Sequence, residues 1–428
     1  MLGGSVTLAG GNAHPTLYGG DSLFFSAAEG PPRSKLANNH TLPTRIVACD
    51  REEFYETLKE EFASRNNVQI LRNGHLVSRT SDYIIYSVEA AAIDRVVAQY
   101  GPSTKLGAIV GGQTSCKDPE IKAFEAHLPE DVDIVSCHSL HGPPKRRASQ
   151  QVIIKHRSSA ASAQKVETIL SCLKSKIVYL TAHEHDRITA DTQAVTHAAF
   201  LSMGKAWHAS QEFPWEGARY VGGIENVKIN LMLRIYSQKW HVYAGLAILN
   251  PEARKQIAQY AESTTDLYKL MLGATWKSCG RASTTRATAC SGGPGSLGKM
   301  PESLLPNNHL SLLAMVDCWS ALGIVPYDHM ICSTPLFRLW LGVTETLFRN
   351  EQRLDEAIRV AIDDNTFRSD DLEFTFAARG WAECVSLGHF ETWRERFQAT
   401  AAFFEPRIAE AMEVGNAMVK AVLESTKK

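Results

Sequence analysis

From Arg45 to Thr181 short β-branched runs alternate with amphipathic helical stretches, and after Thr181 the strand signal stops. The strand candidates are Arg45 to Cys49, Val68 to Leu71, Asp82 to Val88, Leu106 to Val110, Asp133 to Cys137, Gln151 to Lys155 and Ile177 to Thr181. Helical periodicity fills the gaps at Glu52 to Ser64, Ala90 to Tyr100, Pro119 to Leu128 and Ala163 to Ser175. This alternation predicts a mostly parallel, doubly wound, Rossmann-like sheet, which takes its ligand at the carboxyl ends of its strands. The remainder reads as helices: Asp186 to Trp207, Asn226 to Leu249, Pro251 to Leu272, and more from Asn308 onward, broken by turn signals such as Pro326-Tyr327-Asp328. The expected fold class is therefore α/β followed by all-α, with residues 45–181 as a dinucleotide-binding domain and 182–428 as a large helical domain. Domains paired in this way usually hold a substrate between them, but fold alone does not name it.

Two stretches fit neither domain. Residues 1–44 are rich in Gly, Ser and Pro, and Trp276 to Met300 is a Ser/Thr/Gly/Arg tract without apolar periodicity. Both are expected to be irregular, the second as a loop over 274–305.

Charge and cysteine usage narrow the function classes. The 45 basic and 46 acidic side chains nearly cancel and no Lys/Arg block dominates a region, so the electrostatic footprint of a nucleic-acid binder is absent. The cysteines are scattered, odd in number and without a C-x-x-C pair, which fits reduced thiols. Apolar runs such as Val242 to Leu249 are far too short to span a bilayer, and no basic residue precedes Arg33, so a cytoplasmic location without membrane contact is expected.

The segment Gly107 to Gly142 runs strand, turn, helix, strand, turn, which places Ser115 after one strand end and His138 after the next. If those strands are parallel neighbours, both side chains face one crevice, where a nicotinamide would also lie. An imidazole and a hydroxyl there suit oxidation of an alcohol: His138 takes the alcohol proton while hydride leaves the same carbon, and Ser115 holds His138 or the substrate oxygen. Ser115 is equally placed to cap the helix from Pro119. The pairs His138-x-x-His141 and His183-Glu184-His185-Asp186 lack a third ligand at metal spacing, and the latter reads as a helix opening.

In the helical half, His197 shares a face with Gln193 and Ala194, where a hydrogen-bonded core histidine is the commoner outcome. Arg234 interrupts an otherwise apolar stretch and needs a carboxylate, either structural or from a ligand. Trp240 and Tyr243 line a pocket or pack the core.

The strings DYIIYSVEA, GAIVGGQTSCK, CHSLHGP, EHDRITADTQAVTHAAFLSMG, NVKINLMLRIYSQKWHVYAGLAI and PYDHMICSTPLFRLWLGV resemble the fungal prephenate dehydrogenases, in order and at similar spacing. The resemblance runs from about Arg45 to Leu272 and resumes from about Pro306. It implies NADP-dependent oxidative decarboxylation of prephenate to 4-hydroxyphenylpyruvate, in tyrosine biosynthesis, by a homodimer built through the helical domain. It also implies His138 as the catalytic histidine with Ser115 as its partner, Arg234 for a substrate carboxylate, His197 near substrate or nicotinamide, and, less directly, Trp240 as a pocket aromatic. A dehydrogenase acting on arogenate, another two-domain NAD(P) enzyme and a non-catalytic relative are the alternatives.

For the cofactor, Asp50 and Arg51 follow the strand Arg45 to Cys49, where an adenine ribose lies and where Arg51 meets a 2'-phosphate. Ser87 and Val88, at the end of the next long strand, complete the expected contacts. A G-x-G-x-x-G turn belongs about 20 residues earlier, yet residues 25–32 read FSAAEGPP, with Gly30 the only glycine and no β-branched strand before it. The chain is therefore expected to bind NADP poorly.

Overall fold

The computed structural model describes residues 23–28, 45–139, 150–173, 175–217, 220, 222–273, 307–333 and 335–425. The chain divides into two compact units, Met1–Asp186 and Arg187–Lys428.

The first unit is built on an eight-stranded sheet. Its strands are β1 Leu23–Ala28, β2 Arg45–Cys49, β3 Val68–Ile70, β4 Tyr83–Ser87, β5 Ile109–Gly112, β6 Asp133–Ser139, β7 Gln150–Arg157 and β8 Lys176–Tyr179. They lie in the order β3-β2-β1-β4-β5-β6-β7-β8. Strands β2 to β6 share one direction, while β1, β7 and β8 run against them. Successive residues of β4 explain why the strands read as continuous apolar runs. Ile84 and Tyr86 pack with Val47, Val110 and Ile134 beneath helices α3 (Ile93–Tyr100) and α4 (Asp118–His127). Tyr83 and Ile85 pack on the other face with Ile109, Val135 and Ile153, against α5 (Ala160–Leu170). A sheet covered on both faces buries every position, and each fully buried aliphatic side chain contributes roughly 1.5–3 kcal/mol.

Three local features depart from the sequence-based expectation. The stretch from Glu52 is a 3-10 turn, Glu52–Phe54, leading into a short α1, Tyr55–Glu61. A further helix, α2 Gly74–Thr80, opens on Asn73, whose side-chain oxygen accepts the His75 amide at 2.8 Å. Two turns are too few to show helical periodicity. The third departure corrects the expectation that residues 1–44 are irregular, because Leu23–Ala28 is a strand. Its sequence, LFFSAA, has no β-branched residue, so propensity is silent; pairing on both sides, Phe24 with Cys49 and Leu23 with Ser87, supplies the ladder. It runs antiparallel to both neighbours, so its carboxyl end, Ala28, pairs with Arg45 at the edge away from Cys49 and Ser87.

Helix α6, Ala182–Ser210, leads into the second unit, which is helical throughout its described residues. It comprises α7 Ile224–Tyr236, α8 Trp240–Leu249, α9 Pro251–Gly273, α10 Leu310–Leu322, α11 Pro335–Phe348, α12 Glu351–Asp363, α13 Arg368–Ser386 and α14 Phe390–Ser425. The single helix expected over Asn226 to Leu249 is broken after Tyr236, where the Ser237 hydroxyl turns back to donate to the Arg234 carbonyl. Trp319, Trp340, Trp381 and Trp393 are fully buried in one continuous core with Phe200 and Tyr236.

Candidate active site

The carboxyl ends of β5 and β6 carry the densest polar cluster of the first unit. Strand β5 closes on Gly111 and Gly112 for steric reasons: a Cβ on the first would strike the Val135 carbonyl oxygen, and on the second the Glu120 carboxylate. Close approach of β5 to β6 makes room beneath the strand ends for a buried ion pair. Lys117 Nζ lies 2.9 Å from Glu120 Oε1, and both side chains are wholly buried. The ammonium also donates to the Cys137 carbonyl at 2.8 Å, the Ser136 hydroxyl at 3.2 Å and the Gly112 carbonyl at 3.3 Å. Glu120 in turn accepts from the Thr114 hydroxyl at 2.6 Å and the Thr114 amide at 3.1 Å. A buried pair satisfied in this way fixes geometry, and losing one partner would cost about 3–5 kcal/mol. Gln113 adds a second tie, donating to the Cys137 sulfur at 3.1 Å and accepting from the Ser139 amide at 3.3 Å.

On this platform His138, half-buried at the end of β6, meets the start of α6. Its Nδ1 lies 2.8 Å from His185 Nε2, and His185 Nδ1 lies 2.8 Å from Asp186 Oδ1. The two imidazoles meet edge to face, at 67° and 5.0 Å between centroids. Asp186 also accepts the amides of Lys117 and Asp118, at 2.7 and 2.8 Å, and so caps the amino terminus of α4 from a distant part of the chain. Burial pushes the His185 imidazole below its usual range despite the carboxylate beside it. Burial alone would raise the Asp186 carboxyl, but the His185 ring and the two amides outweigh it and hold the group below the usual carboxylate range. The pair is thus a neutral imidazole on an ionised carboxylate.

Ser115 lies half-buried between β5 and α4, and no hydrogen bond joins it to His138 among the described residues. The sequence assigned it the task of holding His138 or the substrate oxygen; the first of these falls to His185. Nor does it cap α4, since that cap is Asp186. Within His183-Glu184-His185-Asp186, Glu184 does open the helix: its carboxylate accepts the Thr181 amide at 2.8 Å while the Thr181 hydroxyl accepts the Glu184 amide at 3.2 Å, a reciprocal cap. The next two residues turn inward, and sequence reasoning passed over them, as it did Lys117 and Glu120. The available signal was a buried-face Lys and Glu one turn apart at a helix start. His141 lies outside the described residues. Among those described, no cluster of His, Cys, Asp or Glu is arranged for a metal ion.

The cofactor candidates lie along the same edge. Asp50 follows β2 and accepts the Arg51 amide at 2.7 Å. Arg51 pairs with Glu53 at 3.1 Å and sits 4.8 Å from the Phe54 ring, and its buried Nε has no partner. Ser87 and Val88 close β4, Val88 buried and Ser87 partly open. These residues suit the two ends of a dinucleotide, with an unsatisfied guanidinium nitrogen available to a 2'-phosphate. The pyrophosphate position between them does not match: the central strand β1 runs backwards, so its carboxyl end presents no turn and no helix amino terminus at this edge.

In the second unit, His197 on α6 is half-buried and stands edge-on to Tyr243 of α8, at 4.8 Å and 86°. Burial pushes its imidazole down to about 4, so it is neutral at ordinary pH. With Ala194, Leu246 and Trp381 it lines an apolar void of about 10 Å³, room for about one water. Arg234, in the last turn of α7, acts electrostatically on the same Tyr243 and donates to the Asn416 side chain at 2.9 Å. No Asp or Glu pairs with it among the described residues. Trp240 begins α8 and packs half-buried against the core, its ring 5.9 Å from that of His241.

A strand-end histidine beside a nucleotide-type sheet, followed by a helical unit, defines a two-domain dehydrogenase. Comparison with known proteins makes this specific. A family model described as a 6-phosphogluconate dehydrogenase C-terminal domain matches residues 194–287 and 295–424. The probable NADP-dependent prephenate dehydrogenase of Schizosaccharomyces pombe is 54% identical over 403 residues, covering 90% of this chain and 93% of that protein. The NADP-dependent prephenate dehydrogenase of Saccharomyces cerevisiae is 51% identical over 401 residues, covering 88% of each. The chain belongs to the family of the NADP-dependent prephenate dehydrogenases. Among solved structures, prephenate dehydrogenase from A. aeolicus with hydroxyphenyl propionate and NAD+ matches at 13% identity and a TM-score of 0.43, over 52% of this chain and 80% of that one.

Proposed function

We infer that the protein oxidises and decarboxylates prephenate to 4-hydroxyphenylpyruvate, with His138 as the acid/base group. The observation that carries this reading is the His138 ring at the end of β6, held by His185 and Asp186, in a chain more than half identical to a prephenate dehydrogenase along most of its length. Prephenate is a dicarboxylate with a ring alcohol, so it calls for a base at the hydroxyl, a cation for a carboxylate and a hydride acceptor. NADP, when bound, supplies the acceptor. His138 takes up the hydroxyl proton as hydride leaves the same carbon. The ring carboxylate departs as carbon dioxide, its bonding pair completes the aromatic ring, and the proton returns to the phenolic oxygen. Arg234, whose partner in the structure is a neutral amide, is given the carboxylate. Ser115 is left to touch the substrate oxygen, while His197 and Trp240 contribute a neutral ring and an apolar wall.

We also assign a homodimer formed through the helical unit, which exposes Phe367, Leu372 and Phe376, and a cytoplasmic location. No helix among the described residues is long and apolar enough to cross a membrane.

The test is to mix the protein with prephenate and a high concentration of NADP and to follow NADPH and carbon dioxide. Equal release of both supports the reading; turnover of arogenate in place of prephenate, or of neither, overturns it. An Arg234→Leu protein is expected to show a Michaelis constant for prephenate about ten- to a hundredfold higher, the size of one charge-assisted contact, with that for NADP little changed. Loss of folding instead would make Arg234 structural.

A further inference from the structure

We propose that His185 and Asp186 are positioning residues that fix His138 as the tautomer protonated on Nδ1, so that Nε2 is its basic nitrogen. The proposal rests on the acid/base role given to His138 above. A carboxylate has no hydrogen to give, so Asp186 Oδ1, 2.8 Å from His185 Nδ1, makes that nitrogen the donor. A neutral His185 then offers only a lone pair at Nε2, and the nitrogen 2.8 Å away, His138 Nδ1, must carry the hydrogen. One nitrogen of a neutral imidazole is protonated, which leaves His138 Nε2 without a hydrogen. Each step follows from a donor facing an acceptor.

The relay is anchored at its far end. The amides of Lys117 and Asp118 use the carboxylate as a helix cap, so its position is set by the amino terminus of α4 rather than by a mobile side chain. The charged groups acting on His185 are Asp186 from α6 and Lys117 and Glu120 from α4. The last two are paired with each other at 2.9 Å, so Asp186 dominates the field. When His138 accepts a proton on Nε2, the imidazolium donates from Nδ1 to a ring that is itself backed by a carboxylate. This favours the charged form, so the relay raises the basicity of His138 as well as orienting it.

Two variants separate positioning from packing. His185→Phe keeps a ring but removes the acceptor, whereas His185→Gln keeps an amide oxygen that can accept from Nδ1. In the full chain, ring-nitrogen NMR is expected to show His138 protonated on Nδ1, and on Nε2 in the Phe variant. In turnover, His185→Phe is expected to lose about ten- to a hundredfold in kcat/KM, the effect of removing the group that orients a functional histidine. Its acid limb is expected to move to lower pH, because the imidazolium has lost its stabilising partner. The Gln variant should recover most of the rate. A folded Phe variant that loses rate with an unmoved acid limb and an unchanged tautomer would show a merely structural role and overturn the proposal. If the Phe variant does not fold, the native spectrum decides, and a proton on His138 Nε2 refutes the relay. A native protein that makes no NADPH from prephenate refutes the function instead, while the spectrum still judges the tautomer.

Discussion

The two halves of one sheet edge are built to different standards. At the ends of β5 and β6, Lys117, Glu120, Ser136 and Asp186 are all buried and all partnered, and they converge on His138. At the ends of β1 and β2, the central strand runs the wrong way for a phosphate turn, and Arg51 keeps a buried nitrogen without a partner. The same edge therefore carries a finished acid/base site and an unfinished nucleotide site. A buried polar network can be completed by a chain's own side chains, whereas a phosphate cradle needs a strand direction, a glycine turn and a helix start at once.

The sharpest way to break this comparison is at its finished half. His138→Asn is expected to lower turnover by about two to four orders of magnitude with little change in substrate affinity, the usual range for a positioned acid/base group. Near-normal turnover in steady-state assays would remove the histidine from the chemistry and leave the β5–β6 network as a structural device.

The unfinished half predicts weak cofactor binding. Without two charge-assisted amide contacts, at about 1.5–3 kcal/mol each, NADP should bind about two to four orders of magnitude more weakly than at a complete turn. Calorimetric titration checks this, and micromolar affinity would mean that residues 1–44 rebuild the phosphate site in another form. The smaller companion effect is at Arg51. Its exchange for Ala should reduce the preference for NADP over NAD by about tenfold, the low end for a charge-assisted contact, because Glu53 already shares the guanidinium. A preference that survived unchanged would assign the 2'-phosphate to another cation.

What could be read in advance follows the distance over which the deciding contact acts. Strand ends are local events, so Ser115 and His138 fall at the carboxyl edge as their β-α alternation requires, and the absence of a glycine turn near residue 30 was visible as a string. The relay was not legible: His185 reaches His138 only because α6 opens beneath β6, and a motif of two histidines and two acids has no periodicity to reveal which side chains turn inward. Lys117 was equally hidden, since its burial depends on carbonyls from two strands meeting over it. Strand β1 was missed because its residues have no strand propensity and its partners lie on β2 and β4.

The smallest expected effect belongs to Ser115, and it tests whether the finished half is as complete as its hydrogen bonds indicate. If orienting His138 were the task of Ser115, removing the hydroxyl would release the ring, and Ser115→Ala would approach the loss seen at His138 itself. In the structure the ring is held from the other side, by a histidine that a carboxylate and two helix amides keep in place. What remains for Ser115 is one neutral hydrogen bond to the substrate oxygen, about 0.5–1.5 kcal/mol, or a loss of roughly tenfold or less in kcat/KM. The acid limb of the pH profile should stay in place, since no proton-bearing group has lost a partner. A loss of several orders of magnitude would show that Ser115 and His138 act as one unit, and that the relay through His185 is insufficient by itself to hold the base.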